Sequence, residues 1–249
     1  MCRKNSRSWK DSHEIHPGRL PEMMIPCPAS STDRATTLHT LDDIVAFSKA
    51  CFSSARGSHD WDHTERVYKL CMKIAEAEKA DKEVLAIAAW LHDVGRAYQD
   101  ESKGLLCHAE KGVEIAKAVL QEYPLSQGKK NHIFHCIKSH RYRGACKPET
   151  LEAKILFDAD KLDAIGAIGI GRAFLFAGEV GARLHNPHIL PEETAPYSIE
   201  DTAFREFKLK LSKIKDGMMT KEGKRIAEDR HAFMESFFQR FLKEYEGKK

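Results

Sequence analysis

From Thr40 onward the chain is written in the period of the α-helix. The segment "TLDDIVAFSKACF" opens with Thr40 or Leu41-Asp42 as a helix start and carries Ile44, Val45, Phe47 and Cys51 as an apolar stripe. In "DHTERVYKLCMKIAEAEKA", Val67, Leu70, Cys71, Ile74 and Ala75 fall at i, i+3, i+4, i+7 spacing, with His63 in the first turn. "DKEVLAIAAWLHDVG" is apolar on nearly every side from Val84 to Leu91. It predicts a buried helix whose last turn holds His92 and Asp93 and which ends at Gly95, a residue suited to the left-handed conformation just past a helix. Helical spacing continues from His108 to about Tyr123, where Pro124 stops it, and from about Lys130 to His140, with Ile133, Phe134 and Ile137 on one face.

The stretch "LEAKILFDADKLDAIGAIGIGRAFLFAG" predicts a long, largely buried helix interrupted by glycines. "FREFKLKLSKI" and "KRIAEDRHAFMESFFQRFLKEY" add two amphipathic stretches, the second with Ile226, Phe233, Phe237, Phe241 and Tyr245 along one side. No segment alternates with period two for long enough to predict a strand, and no internal repeat is visible. The expected fold class is therefore all-α, a single compact helical bundle. Residues 1–37 break the pattern: they are rich in Pro, Ser, Arg and Lys with little periodicity, and predict a disordered N-terminal arm ahead of one domain over 38–249.

Composition narrows the function classes. A chain of 249 residues can bury a sizeable core, and one domain of this size is common. No apolar run approaches the roughly 20 residues of a membrane span. A formal charge of +3 gives no global basic field, so neither nucleic acid nor membrane is an expected partner and any anionic ligand must be held locally. The seven cysteines form no CxxC pair and are odd in number, which argues against a disulfide framework or a thiolate zinc site. The N-terminus is basic but lacks an apolar signal core, and Asp11 and Glu14 weaken a transit-peptide reading, so the expected location is the cytoplasm.

Chemistry enters with His63, His92, Asp93 and Asp160. Each lies on or at the end of a different predicted helix, apart from the adjacent pair, and each is flanked by apolar residues. A cation held by imidazole nitrogen and carboxylate oxygen needs such convergence, because one side chain alone binds metal too weakly. Asp158, Asp160 and Asp163 interrupt an otherwise apolar helix, where an ionised carboxylate is costly unless paired or bound to a cation. Arg66, three positions beyond His63, suits bidentate phosphate contact, and Lys161, beside Asp160, suits a point-charge contact; both can equally be salt-bridge partners of Glu65, Asp158 or Asp163. His59 and Asp60 could orient a ligand or touch substrate, with Asp60 alternatively a helix cap. Arg172, Arg183, Arg141 and Arg143 are further cationic candidates, and Trp61 and Tyr142 could stack on a base or simply pack.

The ordered pattern H…HD…D, read as "HDWDHTERV", "WLHDVG" and "FDADKLDA", resembles the HD superfamily of metal-dependent phosphohydrolases. The motif core covers about 58–163. "GAIGIGRAFLFAG" and "RIAEDRHAFMESFF" in the C-terminal helices, about 164–246, extend the resemblance to the branch of small bacterial and archaeal HD hydrolases that cleave nucleotides. The resemblance implies His63, His92, Asp93 and Asp160 as metal ligands, with His108 and His140 where two-metal members place extra histidines. The chain departs from those members at Ser139, where a second consecutive histidine often stands, and lacks the "DGxGYP" continuation. One tight metal is expected, with a second weaker metal or substrate contact left to His108 and His140.

The implied reaction is hydrolysis by a metal-activated water, with Asp93 or Asp163 as the proton acceptor. The implied substrate is a small-molecule nucleotide, first a nucleoside or deoxynucleoside triphosphate cleaved to monophosphate and pyrophosphate. A phosphodiesterase, an alarmone hydrolase, a di-iron oxygenase and a non-catalytic nucleotide-binding module are the alternatives. The cofactor expected is a divalent cation, Mn²⁺ first, with Mg²⁺, Fe²⁺, Co²⁺, Ni²⁺ and Zn²⁺ also suited to His₂Asp₂ ligation. A homodimer is left open.

Overall fold

The computed structural model describes residues 39–52, 61–102, 104–141 and 146–249, and these are helices and connecting turns without a strand. The helices are α1 (Leu41–Cys51), α2 (Trp61–Glu78), α3 (Lys82–Leu91), α4 (Arg96–Glu101), α5 (His108–Val119), α6 (Gln127–Ser139), α7 (Leu151–Leu162), α8 (Gly166–Glu179), α9 (Ala203–Leu209) and α10 (Lys221–Tyr245). No described helix is long and apolar enough to cross a membrane. The predicted arm over 1–37 lies outside the described residues, as do His59, Asp60, Tyr142 and Arg143.

Hydroxyl and carboxylate caps start most of these helices. Thr40 and Asp43 form a reciprocal capping box at α1, Asp81 caps α3, Ser126 caps α6, and Thr150, Thr202 and Thr220 cap α7, α9 and α10. The apolar helix α3 is the centre of the bundle: α1, α2, α6 and α7 pack around it, so every residue from Val84 to Leu91 is buried. At one end of α3, Trp90 stacks between Trp61, with ring centroids 5.2 Å apart, and Tyr68, at 4.4 Å. Trp61 therefore packs, and it ties the start of α2 to the end of α3.

Three expectations differ in detail. The glycine-interrupted segment is two helices, with Asp163 capping α7 and Gly166 at φ +80°, the left-handed region that breaks the run. The α10 stripe is rotated by one position: Ile226, Ala227, Met234 and Phe238 are buried, whereas Phe233 is 51% and Tyr245 46% exposed. Phe238 stacks on Phe207 at 4.6 Å, which draws that face inward. Gly95 has φ −85°, so it does not serve as a left-handed cap. A side chain there would meet the His108 carbonyl oxygen at 2.3 Å and the Gly112 nitrogen at 2.7 Å; glycine is needed because α5 crosses directly over the turn.

Candidate metal centre

Three helix ends converge on one buried point. His63 is the third residue of α2, His92 and Asp93 follow immediately after α3, and Asp160 lies in the last turn of α7. The ligating atoms of His63, His92 and Asp160 all lie within 4.8 Å of one another, with His63 Nε2 3.3 Å from Asp160 Oδ1. Asp93 Oδ2 stands 4.0 Å from His63 Nε2 and 3.9 Å from His92 Nε2. Its other oxygen, Oδ1, faces His108 Nε2 at 3.4 Å and His140 Nε2 at 3.5 Å, and those three residues form a second group of the same span. Asp93 thus sits between two ligand groups, one oxygen toward each.

The orientation of each imidazole is fixed from behind. His92 Nδ1 is 2.7 Å from the Ala89 carbonyl, His140 Nδ1 is 2.6 Å from the Ile137 carbonyl, and His108 Nδ1 is 2.8 Å from Gln99 Oε1. Each Nδ1–H donates to an oxygen, which leaves the Nε2 lone pair pointing inward. His63 Nδ1 donates in the same way to Asp163 Oδ2 at 2.7 Å. His92 Nε2 is buried and has no hydrogen-bond partner. An orphaned lone pair facing two carboxylates is what a cation would satisfy, so these residues fit a divalent metal of the imidazole- and carboxylate-binding kind.

The charge balance suits a cation as well. Burial raises the carboxyls of Asp93 and Asp160, yet Arg96 and His92 beside Asp93, and Lys161 and His63 beside Asp160, hold both well below the usual range. Both stay ionised. Burial lowers His92 to about 4 and His108 to about 3, so both rings are neutral and able to ligate. Burial also pulls His63 down, but hydrogen bonding to Asp160 and Asp163 outweighs it and pushes that ring up to about 9 in the metal-free protein.

The predicted substrate contacts occupy different places. Arg66 donates to Asp163 from Nε at 2.6 Å and from Nη2 at 3.1 Å, and Arg172 donates to Asp163 Oδ2 at 2.6 Å. Lys161 pairs with Asp160 and lies 5.2 Å from the Phe157 ring centroid. Arg141 donates to Cys107 Sγ, and Arg183 is exposed. Asp158, fully buried, takes no part in the centre: it accepts from Met219 N, Thr220 N and Thr220 Oγ1 and so anchors the start of α10. Two residues were missed. Arg96 donates to both oxygens of Asp93, at 3.3 and 3.1 Å, and Gln99 orients His108. The signal for Arg96 was its position three beyond Asp93, the spacing that singled out Arg66.

An all-α bundle whose helix ends deliver this His/Asp set defines a metal-dependent phosphohydrolase of the HD type. The HD domain family model matches residues 60–165, and the chain belongs to that family. It is 33% identical to YpgQ of Bacillus subtilis over 216 residues, which is 84% of this chain and 96% of the relative. Among solved structures, an HD-superfamily hydrolase from Bacillus thuringiensis superposes with a TM-score of 0.65 at 31% identity, covering 83% of this chain and 96% of the other. Bacillus subtilis YpgQ in complex with ADP superposes with a TM-score of 0.63 at 28% identity, covering 82% and 94%.

Proposed function

We propose that this hydrolase acts on a nucleoside triphosphate, ribo or deoxy, and releases monophosphate and pyrophosphate. The observation that carries the reading is the buried His92 Nε2, without a hydrogen-bond partner, held among His63, Asp93 and Asp160. The ADP bound by the related YpgQ supports a nucleotide. A divalent cation, Mn²⁺ by preference, supplies Lewis-acid stabilisation of phosphoryl charge and a water acidic enough to ionise near neutral pH. His63 and His92 would hold it through Nε2, and Asp160 and Asp93 through carboxylate oxygens.

Around that point the chain's own groups divide the work. Lys161, paired with Asp160, is placed to share its charge with a phosphate at the centre. Arg66 and Arg172 add positive charge from behind Asp163. Asp163 accepts from His63, Arg66 and Arg172 at once, and although burial raises its carboxyl, these donors hold it far below the usual range. Because both of its oxygens are engaged by these donors, we assign it to positioning His63, and assign acceptance of the water proton to Asp93, which turns one oxygen toward each ligand group. Cys71, Cys107, Cys136 and Cys146 are free thiols, which supports a reducing cytoplasm as the location.

A second reading, with a further weaker cation on Asp93, His108 and His140, is favoured by the 3.1 Å approach of the two Nε2 atoms. The test is hydrolysis of a nucleotide panel by metal-stripped protein with Mn²⁺, Mg²⁺, Co²⁺, Ni²⁺ or Zn²⁺ restored and products separated. Metal-dependent pyrophosphate release from triphosphates is expected. Orthophosphate release, or turnover of diesters or alarmones alone, overturns the reading, and bound iron with no turnover points to an oxygenase.

A further inference from the structure

We propose that the cavity between α7 and the 206–218 segment is the pocket for the nucleoside part of the substrate, an inference that rests on the nucleotide reading above. The cavity has a volume of about 360 Å³. That lies within the range of small-molecule sites, which pair apolar walls with a few placed polar groups. Phe157, Leu209, Leu211, Ile214 and Met218 supply apolar walls, and a planar heterocycle buries its faces against such surfaces. Lys161, Lys210 and Lys213 supply ammonium groups; Glu206 also lines the cavity and pairs with Lys210, so Lys161 and Lys213 carry its net positive charge. An apolar cavity lined by ammonium groups suits a ligand that is flat and apolar at one end and anionic at the other.

One side chain joins this cavity to the metal centre. Lys161 lines the cavity, lies 5.2 Å from the Phe157 ring centroid and pairs with the ligand Asp160. A phosphate beside Asp160 is therefore next to Lys161, and the group esterified to it is carried toward Phe157. The neighbouring cavity of about 400 Å³ shares only Glu206, Lys210 and Leu211 with the first. Its guanidinium, Arg172, donates to Asp163, which aims His63, whereas Lys161 of the first cavity pairs with the ligand Asp160 itself, so the first cavity is the one joined directly to a metal ligand.

Gly217 makes the inference testable without disturbing the core. It lines the cavity, and a Cβ built there would meet no atom within 4 Å. Half-buried Ile214 lines the cavity from another position. Gly217→Phe and Ile214→Trp are two independent fillers, and neither touches the metal ligands. Calorimetric titration of wild type and both variants with Mn²⁺, then with ADP in excess Mn²⁺, reads the two sites separately. The expected result is an ADP affinity at least about tenfold weaker in the fillers, with Mn²⁺ affinity kept within about twofold. ADP bound equally by wild type and both fillers overturns the cavity and leaves the nucleotide reading standing. No ADP bound by wild type, with Mn²⁺ bound, overturns the nucleotide reading and this inference with it.

Discussion

His63 Nδ1 lies 2.7 Å from Asp163 Oδ2, so the imidazole that opens α2 is aimed by a carboxylate that closes α7, one hundred residues away. Asp163 is itself fixed by Arg66 and Arg172. A carboxylate behind a ligating histidine sets its tautomer and raises its basicity. Asp163→Asn keeps the shape and loses the charge, and should weaken Mn²⁺ binding about 10- to 100-fold while the helical circular dichroism is unchanged. Asp93→Ala, by contrast, should abolish metal-dependent turnover in the same intact fold. Unaltered Mn²⁺ affinity in Asp163→Asn would remove the positioning role.

Metal binding should be coupled to the proton on His63. In the metal-free protein His63 titrates at about 9 and His92 at about 4. Ligation requires both rings neutral. At a pH between those values the cation therefore expels a proton from His63 and none from His92. Apparent affinity should fall about tenfold for each pH unit as pH drops through this window, and level off above it. Calorimetry at neutral pH in buffers of different ionisation enthalpy reads the proton directly. A release near zero there contradicts ligation by a protonated His63.

The ligands were legible because each stands where an apolar helical run meets a polar break, and because His63, His92–Asp93 and Asp160 keep the order of a known pattern. Spacing reveals which residues share a helix face. It does not reveal which distant element that face meets. Arg66 takes the salt-bridge role with Asp163 that the sequence left open, but no local period encodes Arg172 joining them from α8 or Asp158 reaching across to Thr220. Phe233 and Phe238 are equally apolar as letters, and it is packing against Phe174, Phe204 and Phe207 that turns Phe238 inward.

Gly95 shows the same limit from the backbone side. Its type suggested a left-handed cap, whereas its φ of −85° is open to any residue and the constraint is the crossing of α5. A methyl group would lie 2.3 Å from the His108 carbonyl oxygen. Gly95→Ala should therefore destabilise the fold by about 3 kcal/mol, since backbone on both sides cannot yield as a side chain would. Urea denaturation measures it. The shift of α5 should also displace His108, so activity should fall further than stability alone requires. A melting curve like that of wild type would show that the helices do not approach so closely.

The pair His108 and His140 decides between one cation and two. Both rings give their Nδ1–H away, to Gln99 and to the Ile137 carbonyl, so two Nε2 lone pairs face each other at 3.1 Å. Burial lowers His108 to about 3, so protonation of that ring does not relieve the repulsion near neutrality. A cation would, with Asp93 Oδ1 completing the group at 3.4 and 3.5 Å. Mn²⁺ titration of the stripped protein should then show a tight site and a weaker one. The double variant His108→Ala, His140→Ala should lose the weaker site and keep the tight one on His63, His92 and Asp160. If wild type binds a single ion and the double variant binds it equally well, the pair contacts substrate instead, and nucleotide KM rather than metal stoichiometry should move.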